Sequence, residues 1–323
     1  MPSILITGGA GFFGTAFCQR LRDMPEWNRV AILSRDWHKH VVLREKLNDD
    51  QKFRWFIGDI RDKDRLVRAF RDIDVIVHAG ATKDVVSSQY SPREALLTNC
   101  IGTQNVIDAA IDCGVKKVFL ISSDKAVNGL NLYGQTKAVS ESLVVAANSY
   151  SPGRTIFSAG RWGNVFGSSS SVVPLFLRQR ESGTLTLTHP KMSRFWVSIE
   201  QVVDFVLRCL EEMQGGEIFI PKLNAAPVTD LARAIAPDAK IEIVGMRPGE
   251  KLSELMLSSS ESTRTKDVGW AYRIEPSFKF WDANIEYLGG SPVPDGWEYT
   301  SASANRLTVE EIRSMLPSAN LRK

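Results

Sequence analysis

Ile4-Leu5-Ile6-Thr7-Gly8-Gly9-Ala10-Gly11-Phe12-Phe13-Gly14 is an apolar strand running straight into closely spaced glycines, followed by a helical stretch from Thr15 to Arg22. Glycine lacks Cβ, so Gly8, Gly11 and Gly14 permit a tight turn and the close approach of a pyrophosphate. The free amides and dipole at the following helix N-terminus favour that anion. The spacing Gly-x-x-Gly-x-x-Gly differs from the dinucleotide fingerprint Gly-x-Gly-x-x-Gly, but its position between a strand and a helix supports the same use.

Working outward, apolar β-branched runs alternate with helices: Ser3 to Thr7, Arg29 to Leu33, Phe53 to Ile57, Val75 to Ala79, Lys117 to Ile121 and Thr155 to Ala159. They lack in-out alternation, as strands of a parallel sheet covered on both faces do. The fold expected is α/β, a doubly wound parallel sheet. After about Val165 the elements shorten: helices Val172 to Glu181, Ile199 to Met213, Thr229 to Ile235 and Gly249 to Met256, and strands Leu185 to Thr188, Glu217 to Pro221 and Ile241 to Val244. This smaller C-terminal α/β region, 166–323, should lie over the carboxyl ends of the strands in 1–165, so that both share one cleft.

The second strand carries the cofactor choice. An acidic residue at its end would bond the ribose hydroxyls of NAD, and an arginine would accommodate the 2′-phosphate of NADP. Here the strand ends Ser34-Arg35-Asp36, which favours NADP without excluding NAD. Asp59, ending the third strand, suits the adenine amino group or, alternatively, the N-cap of a helix from Arg61 to Arg71.

Ile121-Ser122-Ser123-Asp124-Lys125 leaves another strand, and Tyr133 and Lys137 follow at the i, i+4 spacing that shares one helical face. An ammonium beside a phenol lowers the cost of ionising it, so Lys137 could make Tyr133 a base. The spacing alone is common on solvated helices. Its place after a nucleotide-binding loop gives it weight.

Composition excludes several classes. A formal charge of +3 over 323 residues gives no field for nucleic acid. Cys18, Cys100, Cys113 and Cys209 lack metal-ligand or disulfide spacing and read as reduced thiols. No metal site is expected. No apolar run reaches the roughly 18 residues needed for a membrane span, which predicts a soluble, cytoplasmic protein.

With Gly58-Asp59, Thr98-Asn99, Ser123-Asp124-Lys125, Asn131-Leu132-Tyr133-Gly134-x-x-Lys137, Gly163-Asn164-Val165, Met192-Ser193-Arg194-Phe195-Trp196 and Arg247-Pro248-Gly249-Glu250-Lys251-Leu252, the chain resembles an extended short-chain dehydrogenase/reductase. More narrowly it resembles the C5-inverting UDP-N-acetylglucosamine 4,6-dehydratases of polysaccharide biosynthesis. The resemblance implies a Rossmann domain over 1–165 and a nucleotide-sugar-binding domain over 166–323, in a homo-oligomer. Tyr133 with Lys137 would deprotonate the sugar 4-hydroxyl as hydride leaves C4. Asp124 would act as acid on the departing 6-hydroxyl and Lys125 as base at C5, given a proton affinity lowered by burial near Lys137 or Lys83. Implied cofactor contacts are Gly8, Ala10, Gly11, Phe12, Phe13, Gly14, Ser34, Arg35, Asp36, Lys39, Asp59, Ile60, Ala79, Lys83, Thr98, Asn99, Tyr133 and Lys137. Implied substrate contacts are Lys83, Asn164, Val165, Arg194, Arg247 and Glu250.

Thr98 and Asn99 could equally cap the helix Gly102 to Asp112, and Glu250 could simply favour a helix start. Four positions depart from the family pattern: Gly80, Asp84 where histidine is usual, Gly129 where proline is common, and Ser169 where an arginine often stands. Two other functions remain open on the residues alone: a nucleotide-sugar 4-epimerase, and a non-catalytic redox sensor that reports NADP state to a partner.

Overall fold

The computed structural model describes residues 2–168, 171–282 and 285–316; Ser169 lies outside them. The strands of the first half are β1 (Ser3–Thr7), β2 (Arg29–Ser34), β3 (Phe53–Ile57), β4 (Val75–His78), β5 (Lys117–Ile121) and β6 (Ile156–Gly160). Those of the second are β7 (Asn164–Val165), β8 (Thr184–Leu187), β9 (Ser193–Val197), β10 (Ile218–Pro221), β11 (Ala225–Pro227), β12 (Lys240–Ile243), β13 (Leu255–Leu257), β14 (Thr265–Asp267), β15 (Ala271–Ile274), β16 (Ser291–Pro292) and β17 (Tyr299–Thr300).

The main sheet runs β16-β14-β15-β10-β6-β5-β4-β1-β2-β3. From β3 to β10 neighbours are parallel, and β15, β14 and β16 add an antiparallel edge. Residues of β1, β2 and β4 are nearly all buried, as continuous apolar runs between two helical layers require. The strand order reverses at β1, so a crevice opens beyond the carboxyl ends of β1 and β4. The chain returns to this sheet at β10, so strands from both sides of residue 165 share one core. A second core gathers Phe176, Leu185, Trp196 and Leu231 beneath the smaller region.

Most expected elements form within one or two residues. One does not. Residues 249–256 make no helix: Gly249 adopts φ +80°, the Glu250 carboxylate accepts from the Arg247 amide at 3.1 Å, and the chain then enters β13. The glycine and preceding Pro248 turn the backbone, and Glu250 closes that turn instead of starting a helix.

A buried guanidinium joins the halves. Arg161 donates to Glu141 at 2.9 and 2.7 Å, and to Glu261 at 3.1 and 2.8 Å. Glu141 lies on the helix Leu132–Ala147 of the first half, and Glu261 on a short helix of the second.

Candidate active site

A cleft of about 910 Å³ lies at the switch point. Gly8 turns the chain at φ +67°, and a Cβ on Gly14 would stand 2.4 Å from the Gly9 Cα, so both glycines are sterically required. The helix Phe12–Arg22 begins at Gly11 with no side-chain cap, which leaves its first amides for an anion. These features fit a dinucleotide pyrophosphate.

Gly8, Ala10, Gly11, Phe12, Phe13, Gly14, Ser34, Arg35, Asp36, Lys39, Asp59, Ile60, Ala79, Lys83 and Thr98 all line the cleft. The Asp36 carboxylate is occupied as a helix cap, accepting from the Lys39 amide at 3.2 Å, whereas Arg35 is largely exposed. Asp59 does not cap the following helix; Asp62 does. The Asp59 carboxylate accepts from Arg61 and faces Arg35 at 3.7 Å. Burial alone would raise its pKa, but the Arg61 hydrogen bonds and both positive charges hold it below the usual carboxylate range.

Thr98 and Asn99 lie in a π-helical segment, Leu97–Ile101, and cap nothing. Asn99 is absent from the cleft wall. Its amide accepts from the Thr82 N–H at 2.8 Å and donates to the Thr82 carbonyl and the Thr136 hydroxyl, both at 2.9 Å, so it pins the loop carrying Lys83. That use of every polar atom argues against direct cofactor contact. The Lys83 ammonium has no partner among the described residues; burial and the nearby Lys39 charge lower its pKa. Asp84 caps the helix Val85–Tyr90, accepting from Ser87 N at 2.7 Å. At Gly129 a Cβ would stand 2.8 Å from the Gln135 amide, which explains a glycine there.

Asn131 caps the helix that carries Tyr133 and Lys137, accepting from Gly134 N at 2.9 Å. Lys137 is buried and donates to the Ile121 carbonyl at 2.6 Å. Burial brings its pKa down to about 8, with Glu141 opposing. Burial raises the Tyr133 phenol, and the groups that pull it back are Lys125 and Ser123. The Lys125 ammonium thus acts on the phenol, in addition to the Lys137 expected beside it.

The lowered proton affinity expected of Lys125 is not found. Its Nζ lies 3.1 Å from Asp124 Oδ1 and 3.5 Å from Glu254 Oε1. Burial alone would lower its pKa, but the two carboxylates overcome that, and it sits well above the ordinary lysine value. It does not fall toward neutrality in this state. Asp124 is fully buried and stands behind the cleft wall; Ser123, which lines the cleft, donates to its Oδ1 at 2.8 Å. Asp124 Oδ2 has no hydrogen-bond partner among the described residues.

Across the cleft, Asn164, Val165, Arg194, Arg247 and Glu250 all face the same space. Asn164 Oδ1 is buried without a hydrogen-bond partner among the described residues. Arg194 is held by the Ser193 carbonyl at 2.7 Å and by Glu254 at 3.5 Å. Asn131 also donates to the Gly249 carbonyl at 3.0 Å, and Lys251 to the Val127 carbonyl at 2.5 Å, drawing the 247–251 turn against the loop before Tyr133. Glu254, hidden inside a segment that reads as helix, has no sequence signal of its own.

The Polysaccharide biosynthesis protein family model matches residues 4–276. The chain is 46% identical over 308 residues to UDP-N-acetylglucosamine 4,6-dehydratase (inverting) of Campylobacter jejuni subsp. jejuni serotype O:2, covering 93% of this chain and 92% of the relative. It is 38% identical to UDP-glucose 4-epimerase of Rickettsia conorii, covering 97% and 95%. Among solved structures it is similar to Pen from Bacillus thuringiensis, with a TM-score of 0.88 and 34% identity over 97% of this chain and 96% of the other. DesIV, the dTDP-glucose 4,6-dehydratase of Streptomyces venezuelae with NAD and TYD bound, superimposes with a TM-score of 0.70 at 25% identity, over 77% and 86%. The chain belongs to the polysaccharide biosynthesis protein family of extended short-chain dehydrogenase/reductase fold.

Proposed function

We propose that the protein is a nucleotide-sugar 4,6-dehydratase acting on UDP-N-acetylglucosamine with inversion at C5. The observation that carries this reading is that Lys125, Tyr133 and Lys137 line one cleft, with Asp124 bonded to Lys125 just behind its wall, in a chain 46% identical to a dehydratase of that name. A 4-epimerase needs only the phenol and its lysine, so it leaves Asp124 and Lys125 unexplained. A nicotinamide dinucleotide bound at the glycine loop supplies the hydride acceptor for C4 and the donor for C6. We take it to be NADP, because Arg35 is available while the Asp36 carboxylate serves as a helix cap.

Tyr133 removes the 4-hydroxyl proton, eased by the Lys125 charge and the Ser123 hydroxyl. The resulting 4-ketone acidifies the C5 hydrogen. Lys125 passes its proton to Asp124 along their 3.1 Å hydrogen bond, giving a neutral amine and a carboxylic acid. The amine takes the C5 proton. The C5–H electron pair forms the new double bond as the C6–O bond breaks, and Asp124 protonates the departing oxygen through the Ser123 hydroxyl. Water leaves and the pair regains its starting charges; with hydride returned to C6, C5 takes one proton on the face opposite to the one it lost, matching the proton that Tyr133 took from the 4-hydroxyl. Arg194, Arg247 and Asn164 hold the diphosphate and sugar, arginine forks suiting phosphate oxygens.

A homo-oligomer belongs to the same reading, supported by exposed Tyr90, Leu96, Ile101 and Val139 on neighbouring helices. So does a cytoplasmic location, where the free thiols stay reduced. Incubation with UDP-N-acetylglucosamine tests the main claim: a product lighter by one water, with inverted C5 by NMR, supports it. An unchanged mass with an altered C4 indicates epimerisation.

A further inference from the structure

Glu254 is 3% exposed and forms part of the cleft wall. Its Oε1 stands 3.5 Å from both Lys125 Nζ and Arg194 Nε, and its Oε2 is buried with no hydrogen-bond partner among the described residues. The backbone is fixed on both sides: Glu254 N donates to Ser301 Oγ, and Ser301 N donates to the Glu254 carbonyl, each at 2.9 Å. Burying a carboxylate with an unsatisfied oxygen is costly, and no packing need is met by it here, since an amide or an aliphatic group fills the same volume.

The charged and titratable groups facing it come from several elements. Asp124 and Lys125 lie on the turn after β5, Arg194 on β9 and Lys251 on its own segment, while Tyr133, on the helix Leu132–Ala147, lines the same cleft. Three cations, Lys125, Arg194 and Lys251, are thus set against two anions, Asp124 and Glu254. Without Glu254 the Lys125 ammonium would keep one carboxylate and face two like charges.

We infer that Glu254 is a positioning residue for the elimination step, a second-half carboxylate that aims the Lys125 side chain into the cleft and sets the pH at which it exchanges its proton. This rests on the dehydratase reading. Glu254 touches neither reacting carbon in the mechanism above; it acts through Lys125. It also links the arginine at the diphosphate end to the group at C5, because one oxygen serves both cations.

The test uses holoenzyme and UDP-N-acetylglucosamine in deuterated water, with two readouts: absorbance of the transiently reduced nicotinamide for oxidation at C4, and solvent deuterium at C5 for elimination. Glu254→Gln is expected to slow C5 exchange about tenfold more than C4 oxidation. It should also move the low-pH limb of the exchange rate to lower pH by about one unit, the shift expected on removing an opposite charge at this range. Glu254→Asp should return the limb toward its wild-type position. Equal slowing of both steps, or a limb that stays in place, overturns the inference. Should Glu254→Gln fail to fold, Glu254→Asp decides: a loss of C5 exchange larger than the loss of C4 oxidation supports the inference, and equal losses overturn it. A wild-type protein that yields no dehydrated product sinks the dehydratase reading itself, which the product mass reports separately.

Discussion

A Cβ placed on Gly134 would stand 2.2 Å from the carbonyl oxygen of Lys125 and 3.1 Å from its carbonyl carbon. The residue after the phenol is therefore packed directly against the backbone that carries the ammonium. Gly134→Ala gains about 1 kcal/mol of helix propensity, but overpacking against backbone costs about 1 to 3 kcal/mol. The clash wins. The variant should unfold at lower denaturant and lose dehydration at least about tenfold by displacing Lys125; an enzyme of wild-type rate and stability would contradict this packing.

Lys125→Ala separates the two halves of the reaction. Tyr133 and Lys137 remain, so oxidation at C4 should still produce reduced cofactor, though more slowly without the Lys125 charge beside the phenol, while solvent deuterium no longer enters C5 at an appreciable rate. Deuterium entry at the wild-type rate would remove Lys125 from the base role.

Arg35→Ala should weaken NADP far more than NAD. One charge-assisted phosphate contact is worth about 1.5 to 3 kcal/mol, hence a loss of roughly tenfold or more in NADP affinity, readable by calorimetry. Equal losses for both cofactors would point to NAD.

His78 gives a pH dependence with a definite sign. It is buried between Thr7 Oγ1 at 2.7 Å and Thr103 Oγ1 at 3.1 Å. Thr103 spends its proton on the Asn99 carbonyl, so His78 donates from Nε2 and accepts from Thr7 at Nδ1. Burial, with help from the Lys137 charge, brings its pKa down from 6.5 to about 3. Between those values the unfolded chain binds a proton that the folded protein refuses, so stability falls as pH drops from about 6.5 toward 3. His78→Asn should flatten that slope by about one proton in denaturant titrations across the window. An unchanged slope would mean that another group carries it.

The glycine loop and six parallel strands were legible because each depends on local pattern: unbroken apolar runs, and glycines where a side chain would collide. Arg35, Tyr133 and Lys137 could be placed for the same reason, since their spacing along one strand end or one helix face fixes their neighbourhood. What escaped depends on distant partners. Asn99 sits at a plausible cap position, but it is bonded to Thr82 and Thr136. The charge state of Lys125 could not be read from its own segment, because Glu254 lies in β13's approach and reaches it only through the fold. The helix expected over 249–256 failed because Leu252 and Met256 share helical spacing, whereas Pro248 and Gly249 impose a turn that outweighs it.

Arg161 makes the chain indivisible. Its two carboxylate partners are 120 positions apart, so a fragment ending anywhere between Arg161 and Glu261 would bury a cation with half its counter-charge, a loss of about 3 to 5 kcal/mol in comparable broken pairs. Swapping in a foreign second half to alter sugar preference would meet the same obstacle unless the graft brought its own acid to that guanidinium. Substrate range in this protein is thus more readily changed by point substitutions around the cleft than by exchange of whole segments.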